Sequence, residues 1–341
     1  MTLPPKRMPG RYFALLLGAL AVQGTDTSRL LQLARIETAR FERADGMLLP
    51  GEVDALLTSA YRLTGRTDLG FELGLLIKLN SHDQLGYGLL SCRNFDHVLR
   101  LASRHYHLII ELFSMRYRRL PEGGEVVFAP VVAMSLRTMQ FLLEVIAVSV
   151  QRQVLMLLGP EAAAVDFRMG MPAPAHQPRY LDLLPARFHF DERAMPSVTM
   201  TVPPSLLDLP LPMASPQVVE QIEAQLESQK RRPAPDGGWG DYVTMLLRET
   251  LGRVTLEDIA RRMNISARTI DRNLKKEHLQ FRELSQQVRF ERASELLLQP
   301  GATVSGVAEQ LGFSDAANFT RAFRRHAGVA PSDFRLRAEQ K

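Results

Sequence analysis

The sequence predicts an α+β domain over the first 210 residues, followed by an all-α domain in which two helix-turn-helix units are joined by a long helix. Three observations carry this reading. Helical and strand-like stretches succeed one another up to a proline-punctuated segment, Pro172 to Pro212. The stretch Pro233–Gly240, rich in Pro and Gly, then divides the chain. Beyond it, one arrangement of short helix, tight turn and basic helix occurs twice. The 341 residues, 45% hydrophobic and 23% charged, suit a soluble chain of two domains. A single cysteine, Cys92, excludes an intramolecular disulfide framework and any multi-cysteine metal site.

The elements follow in order. Lys6, Arg7 and Arg11 precede an apolar run, Tyr12 to Val22, that contains Ala19-Leu20-Ala21. This has the outline of a secretory signal peptide. It also reads as an amphipathic first helix with Leu15, Leu16, Ala19 and Leu20 on one face, and the nucleic-acid argument below favours that reading because it requires a cytoplasmic chain. No apolar run approaches about 20 residues, so no membrane span is expected. Helical spacing recurs at Val53, Leu56, Leu57, Ala60 and Leu63 after Pro50-Gly51, and at Val98, Leu101, His105, Leu108 and Leu112. Met115–Leu120 and Glu125–Ala129, separated by Pro121-Glu-Gly-Gly124, read as a hairpin with a longer loop. Met134 to Leu158 reads as a central apolar helix ended by Gly159-Pro160. Short strands are expected at Val165–Met169, Arg187–Phe190 and Ser197–Val202.

Ser215-Pro216 opens a further helix, a capping residue followed by proline at the first position. Its stripe of Val219, Ile222 and Leu226 suits self-association and packing on its own domain equally well. The helix ends in Lys230-Arg231-Arg232, ahead of the linker. This organises the chain as 10–212, a helix and linker at 213–240, and a C-terminal domain at 241–337.

Charge divides the same way. The chain carries +5 overall, with a pI near 9.5. Residues 241–341 hold 17 Lys+Arg against 13 Asp+Glu, while the remainder holds 25 against 24. The positive excess therefore sits in the last third, a mark of an anionic partner.

Within that third, Leu256–Met263 is a short helix with Leu256, Ile259, Ala260 and Met263 on one face. Asn264-Ile265 turns the chain, and Ser266 caps a second helix, Ala267–Lys276. Ile265, Ile270 and Leu274 point back at the first helix, and the small Ala260 allows a close crossing. The plan repeats at Val304–Leu311, with a turn at Gly312-Phe313 and a second helix, Ala316–Arg325, capped by Ser314 or Asp315. Phe319 and Phe323 take the inward places of Ile270 and Leu274. Phe281 to Gln299 reads as one linking helix ended by Pro300-Gly301. The outward faces carry Arg268, Thr269 and Arg272 in the first unit and Asn318 and Arg321 in the second. Arginine pairs with guanine and asparagine with adenine in the major groove. Ser266, Lys275, Lys276, Arg324 and Arg325 stand where phosphates are expected. Asp271, beside them, is given no base contact. A solvated basic face is the ordinary fate of a charge run, but here it would have to arise twice in the same arrangement.

Residues 241–337 resemble the DNA-binding domain of AraC/XylS-type transcription regulators. Leu311-Gly-Phe-Ser314, Asn318-Phe-Thr-Arg-Ala-Phe323 and Gly328-Val-Ala-Pro-Ser-Asp-Phe-Arg335 are similar to its closing signature. Arg289-Phe-Glu-Arg-Ala293 with Leu296-Leu297 is similar to its linking helix. Gly306 departs from the family pattern inside a helix, at a cost of ~1 kcal/mol, and Ala330 replaces the usual Ser or Thr. Residues 10–212 resemble the arabinose-binding-like domain of the ornithine-utilisation-regulator branch, through Leu85–Cys92, Val165–Arg168 and Pro172–Pro174. The resemblance implies double-stranded promoter DNA as partner, a small-molecule effector, a homodimer formed through the N-terminal part and contact with RNA polymerase. Activation is the expected mode, although no residue distinguishes it from repression. No cofactor is expected.

Two rivals remain. An enzyme with an appended DNA-binding domain would need a fingerprint, and His-Glu-x-x-His, Gly-x-Ser-x-Gly, P-loop and dinucleotide motifs are missing. His105 and His107, two apart on an expected helix, point to different faces and make a poor metal pair. A ligand-independent architectural protein is opposed by the large, nearly neutral N-terminal domain. For the effector, Tyr87, Cys92, Arg93, Tyr117, Phe128 and Arg137 are candidates that no pattern singles out.

Overall fold

The computed structural model describes residues 6–43, 46–159, 165–227, 239–250, 254–263, 266–299 and 301–339. The chain forms two compact units, residues 1–237 and 238–341.

The first unit opens with strand β1 (Met8–Pro9) and helix α1 (Gly10–Val22). Tyr12, Phe13, Leu16 and Leu20 form the buried face of α1, and Leu15, expected there, is exposed. These positions stack on one side of a helix, and Leu15 lies beside the stripe. Phe13 stacks on Phe141 at 6.0 Å, so the apolar run is a packed core helix. Next come α2 (Thr27–Ala34), α3 (Ala39–Glu42) and β2 (Met47–Leu48), which pairs with β1. Helices α4 (Pro50–Thr64), α5 (Leu69–Leu76), α6 (Asp83–Leu90) and α7 (Phe95–His105) follow. Helix α7 ends well before Leu112. After His105 the chain tightens into a 3-10 turn over Tyr106–Leu108, and Tyr106 packs on Phe128 at 5.3 Å.

The five-stranded sheet is built from β3 (Phe113–Leu120), β4 (Gly123–Pro130), β5 (Asp166–Met169), β6 (Arg187–Phe190) and β7 (Val198–Val202). Its order is β3-β4-β7-β5-β6, antiparallel throughout except for the parallel β5–β6 edge. The hairpin is tighter than the sequence suggested. Leu120 pairs with Gly123, which leaves only Pro121-Glu122 in the turn. Gly123 has φ +140°, and a Cβ there would stand 2.3 Å from the Val202 carbonyl oxygen. Only glycine satisfies both conditions.

Helix α8 (Leu136–Leu158), capped by the Ser135 hydroxyl, runs through the core. Its apolar runs are interrupted, yet by length and composition it could cross a membrane. Most of it is instead buried in this unit, against α4 and α5 and against β7. Its one acidic residue, Glu144, is buried and accepts a hydrogen bond from the Tyr180 hydroxyl at 2.9 Å. The His176 imidazole lies 2.5 Å from the same oxygen. Gly70 on α5 makes the room, since a Cβ there would meet Glu144 Oε2 at 2.5 Å.

The unit closes with α9 (Pro204–Leu207) and α10 (Pro216–Glu227). Val219, Ile222 and Leu226 are buried within their own domain, against α6, and Ile222 sits close to Gly88. This decides between the two roles that the stripe left open. The Ser215 amide donates to the Ser91 carbonyl at 2.9 Å, and Arg104 pairs with Glu223 at 2.6 Å.

The second unit contains α11 (Trp239–Glu249), α12 (Leu256–Met263), α13 (Ala267–Lys276), α14 (Phe281–Leu297), α15 (Val304–Gln310), α16 (Ala316–Ala327) and α17 (Pro331–Glu339). Trp239 and Gly240, placed in the linker by sequence, open α11. The rest of that linker, the turn Asn264-Ile265, Pro160 and Pro300 lie outside the described residues. Helices α12 and α13 pack together, as do α15 and α16, and α14 contacts both α11 and the second pair.

Candidate nucleic-acid interface

The first basic helix is fixed from both ends. Thr255 and Asp258 cap α12 reciprocally: each donates a backbone N–H to the other's side chain, at 2.9 and 3.1 Å. Those bonds hold the Asp258 carboxyl below the usual carboxylate range, with the Thr255 backbone N–H as the chief cause. Ile259 and Ala260 of α12 are buried, as are Ile270 and Leu274 of α13. Ser266 caps α13 by accepting from the Thr269 N–H at 3.1 Å. At its far end, Glu277 accepts the free N–H groups of Trp239 and Gly240 at 2.8 and 2.9 Å, which ties the start of α11 to the end of α13. With one face held this way, Arg268 and Arg272 stand exposed one turn apart on the other. Lys275 and Lys276 are exposed beyond them, and Lys275 pairs with Asp271 at 2.7 Å.

The second pair repeats the arrangement with a heavier core. Phe319 and Phe323 are buried beside Phe290, Phe313 and Phe334, with ring centres 5.0–5.4 Å apart in three of these pairings. Thr303 caps α15 through the Gly306 N–H at 3.1 Å. A Cβ on Gly306 would press to 3.0 Å from that capping hydroxyl, so the departure from the family pattern sits where space is short. Asp315, not Ser314, caps α16, accepting from the Asn318 N–H at 2.6 Å. That bond is the leading cause of its lowered pKa. The Asn318 amide donates to Ser314 and to Asp315, each at 2.7 Å, and its oxygen accepts from Arg321 at 2.5 Å. Arg321, Arg324 and Arg325 are exposed. Gly328, at φ +74°, ends the helix in the left-handed conformation.

Of the base-contact candidates, Arg268, Arg272 and Arg321 therefore have their guanidinium groups at the surface. Thr269 and Asn318 are partly exposed on the same helices, with their side chains bonded within the helix. The Thr269 hydroxyl lies 2.8 Å from that of Ser266, and both ends of the Asn318 amide are engaged, so each belongs to the start of its own helix. The signal was present in the sequence: a capping residue three positions before a hydrogen-bonding side chain competes for that side chain. Sequence reasoning missed Glu277, because its partners lie 37 and 38 residues away.

The effector candidates do not converge. Tyr87 is exposed, Tyr117 donates to Asp96 at 2.6 Å and Arg137 donates to Thr58 at 2.6 Å. Cys92 is buried, with its thiol turned to the Gly88 carbonyl at 3.3 Å and burial pushing its pKa up to about 12. Phe128 lines a cavity of about 60 Å³ within the first unit.

Two helix pairs with basic second helices in one unit, and a mixed domain in the other, point to a DNA-binding regulator. Residues 259–337 match the family model described as a helix-turn-helix domain, and residues 24–211 match that of the arabinose-binding domain of AraC transcription regulators. The chain belongs to the AraC family of DNA-binding transcription regulators. It is similar to the ornithine utilization regulator of Pseudomonas aeruginosa, 27% identical over 330 residues that cover 96% of each chain. The transcriptional activator CfaD of Escherichia coli is 34% identical over 97 residues, covering 28% of this chain and 37% of that protein. The crystal structure of the transcriptional regulator CdpR from Pseudomonas aeruginosa aligns over 91% of this chain and 96% of that one, at 22% identity and a TM-score of 0.42.

Proposed function

We propose that α13 and α16 are paired recognition helices of a double helix-turn-helix, entering successive major grooves on one face of a promoter. The observation that carries this is the repeated division of each helix. Ile270 and Leu274, then Phe319 and Phe323, are buried, while Arg268 and Arg272, then Arg321 and Arg325, are exposed. Grooves on one face recur about every 34 Å, and α14 acts as the spacer. Arg268, Arg272 and Arg321 read bases. Thr269 and Asn318 orient their neighbours before contact and reach bases when those bonds rearrange. Ser266, Lys275, Lys276, Arg324 and Arg325 hold phosphates. The protein acts in the cytoplasm as a homodimeric activator that contacts RNA polymerase, and it is a regulator rather than an enzyme. Its N-terminal domain senses a small molecule; the names attached to its relatives suggest a sugar or a charged amino acid as first candidates.

Selection of bound sequences from a random DNA pool, followed by hydroxyl-radical footprinting, tests this reading. Each chain is expected to protect two windows about one helical turn apart on the same face. A protein that selects no sequence is an architectural one, and that result rejects the proposal.

A further inference from the structure

The second unit carries a groove of about 330 Å³ between α14 and α16. Its floor is a row of rings. Phe313 meets Phe319 edge-on at 5.4 Å, and Phe319 lies 5.7 Å from Phe323. Phe323 lies 5.0 Å from Phe290, and Phe290 lies 4.4 Å from the His326 imidazole. Exposure changes along the row. Phe319 and Phe323 are buried, Phe290 and Phe313 are half-buried, and His326 is exposed. Packing of the helix pair accounts for the two inner rings, but not for the apolar surface that the outer two leave in the groove. Charge is one-sided as well. Arg289 of α14 and Arg325 of α16 line the groove, and among its lining residues there is no Asp or Glu. A DNA phosphate would account for the exposed Arg325, yet it would leave the phenyl surface in water. Rings and cations together call for one molecule with an apolar body and a negative head.

We infer that this groove binds a small apolar anion, a carboxylate carried on one or two rings, and that its occupation competes with DNA. The volume suits such a guest. Small-molecule sites span roughly 300–1,000 Å³, and an apolar void of roughly 150 Å³ already admits benzene. A ring entering beside Phe290 and Phe313 finds aromatic partners for offset or edge-on contact. The planar guanidinium of Arg325 offers two parallel N–H donors to a carboxylate, which a neutral molecule cannot use as well. A cation in the same place would meet two arginines. The competition rests on the reading of Arg325 as a phosphate contact, because a carboxylate held there removes that contact from DNA. Ala322 is exposed in the same groove and adjoins Arg321, so the body of the guest lies against the recognition helix itself. The DNA-binding unit thereby gains a chemical input of its own, separate from any effector of the N-terminal domain.

Titration of the full-length protein into 2-naphthoate, followed by the fluorescence of the naphthoate, tests the site without DNA. Binding is expected to saturate at about one molecule per chain with a Kd below about 1 mM. 2-Naphthylmethanol, with the same rings and no charge, should bind about tenfold more weakly. Ala322→Phe fills the groove from an exposed position and should weaken naphthoate by at least about tenfold. Gln286→Phe fills it from α14, also at an exposed position, which keeps the test decisive if the first variant does not fold. Arg325→Gln should weaken naphthoate and leave naphthylmethanol unchanged. Absence of saturable binding, or binding that survives both filling variants, overturns the site. Equal affinity for the alcohol overturns the anionic class. In parallel, naphthoate at ten times its Kd should raise the apparent Kd for a DNA fragment selected by the protein about tenfold. Naphthoate binding that obeys the variants but leaves DNA affinity unchanged overturns the competition. A chain that selects no DNA rejects the recognition-helix reading and the competition with it, while the naphthoate titration still decides the site.

Discussion

Asn318 serves two neighbours at once. It helps to close the start of α16 through Ser314 and Asp315, and it holds the Arg321 guanidinium at 2.5 Å. An arginine fixed before contact loses less side-chain freedom on binding. Arg321→Ala is therefore expected to weaken binding to the cognate site by ~1–3 kcal/mol and to relax one base position. Asn318→Ala should cost nearly as much, and the double variant little more than either alone, because the two act as one unit. Additive losses in a gel-shift titration would show that Asn318 does not position Arg321. Residue chemistry sets a pH dependence in the other unit. Burial, aided by Arg11, pushes the His82 pKa down from 6.5 to about 4. Between those values the unfolded chain binds the proton and the folded chain does not. Stability should thus fall by roughly 3 kcal/mol as pH drops from 6.5 to 4. Asp68 and Asp96, with carboxyls held low by Arg66 and Arg100, contribute only below that window. Urea midpoints across pH should decline less steeply in His82→Gln than in the parent.

At the scale of elements, local patterning was a good guide where one helix face meets one core. Helix α4, the three short strands, α14 and both basic helices lie where spacing and capping residues place them, to within a few residues. The misplacements share a cause. Spacing alone puts Leu15 on the buried face, but Tyr12 and Phe13 occupy it, because aromatic volume decides which of two adjacent stripes is buried. Helix α7 stops at His105 because Tyr106 is drawn onto Phe128, a contact between residues 22 apart that no window of local periodicity contains. The two-residue hairpin turn depends on Gly123 meeting Val202, across strands far apart in sequence. The arginines of the site were legible as exposed positions on periodic helices, whereas the ties made by Glu277 and by the Asn318 amide were not. Capping carries an energetic consequence here. Ser266→Ala removes the acceptor for the Thr269 N–H and should cost ~1 kcal/mol of local stability. Hydrogen exchange of the first turn of α13 should quicken by about fivefold while α16 is unchanged; equal exchange in the two proteins would mean that the cap is not needed.

For the whole molecule, charge and neutrality are divided between two units with separate tasks. The full-chain value of +5 understates the field at the DNA-binding surface, because the other unit is almost balanced. Association should consequently follow the salt dependence of the C-terminal unit. Arg325→Ala is expected to reduce affinity evenly across sequences and to lower the slope of log K against log salt by about 1, while Arg321→Ala changes sequence preference. A slope that Arg325→Ala leaves unaltered would place that residue away from phosphate.

The position of α8 in the chain bears on how the protein is made. Its early partners α4 and α5 precede it, but β7, which covers another side, ends at Val202, more than forty residues after Leu158. At roughly 5–20 residues per second, a ribosome needs on the order of two to nine seconds to add that stretch. For that interval a helix long and apolar enough to cross a membrane is only partly covered. The burden of keeping this regulator out of aggregates and out of the membrane falls on those seconds of synthesis, and slow codons between residues 158 and 202 would lengthen them.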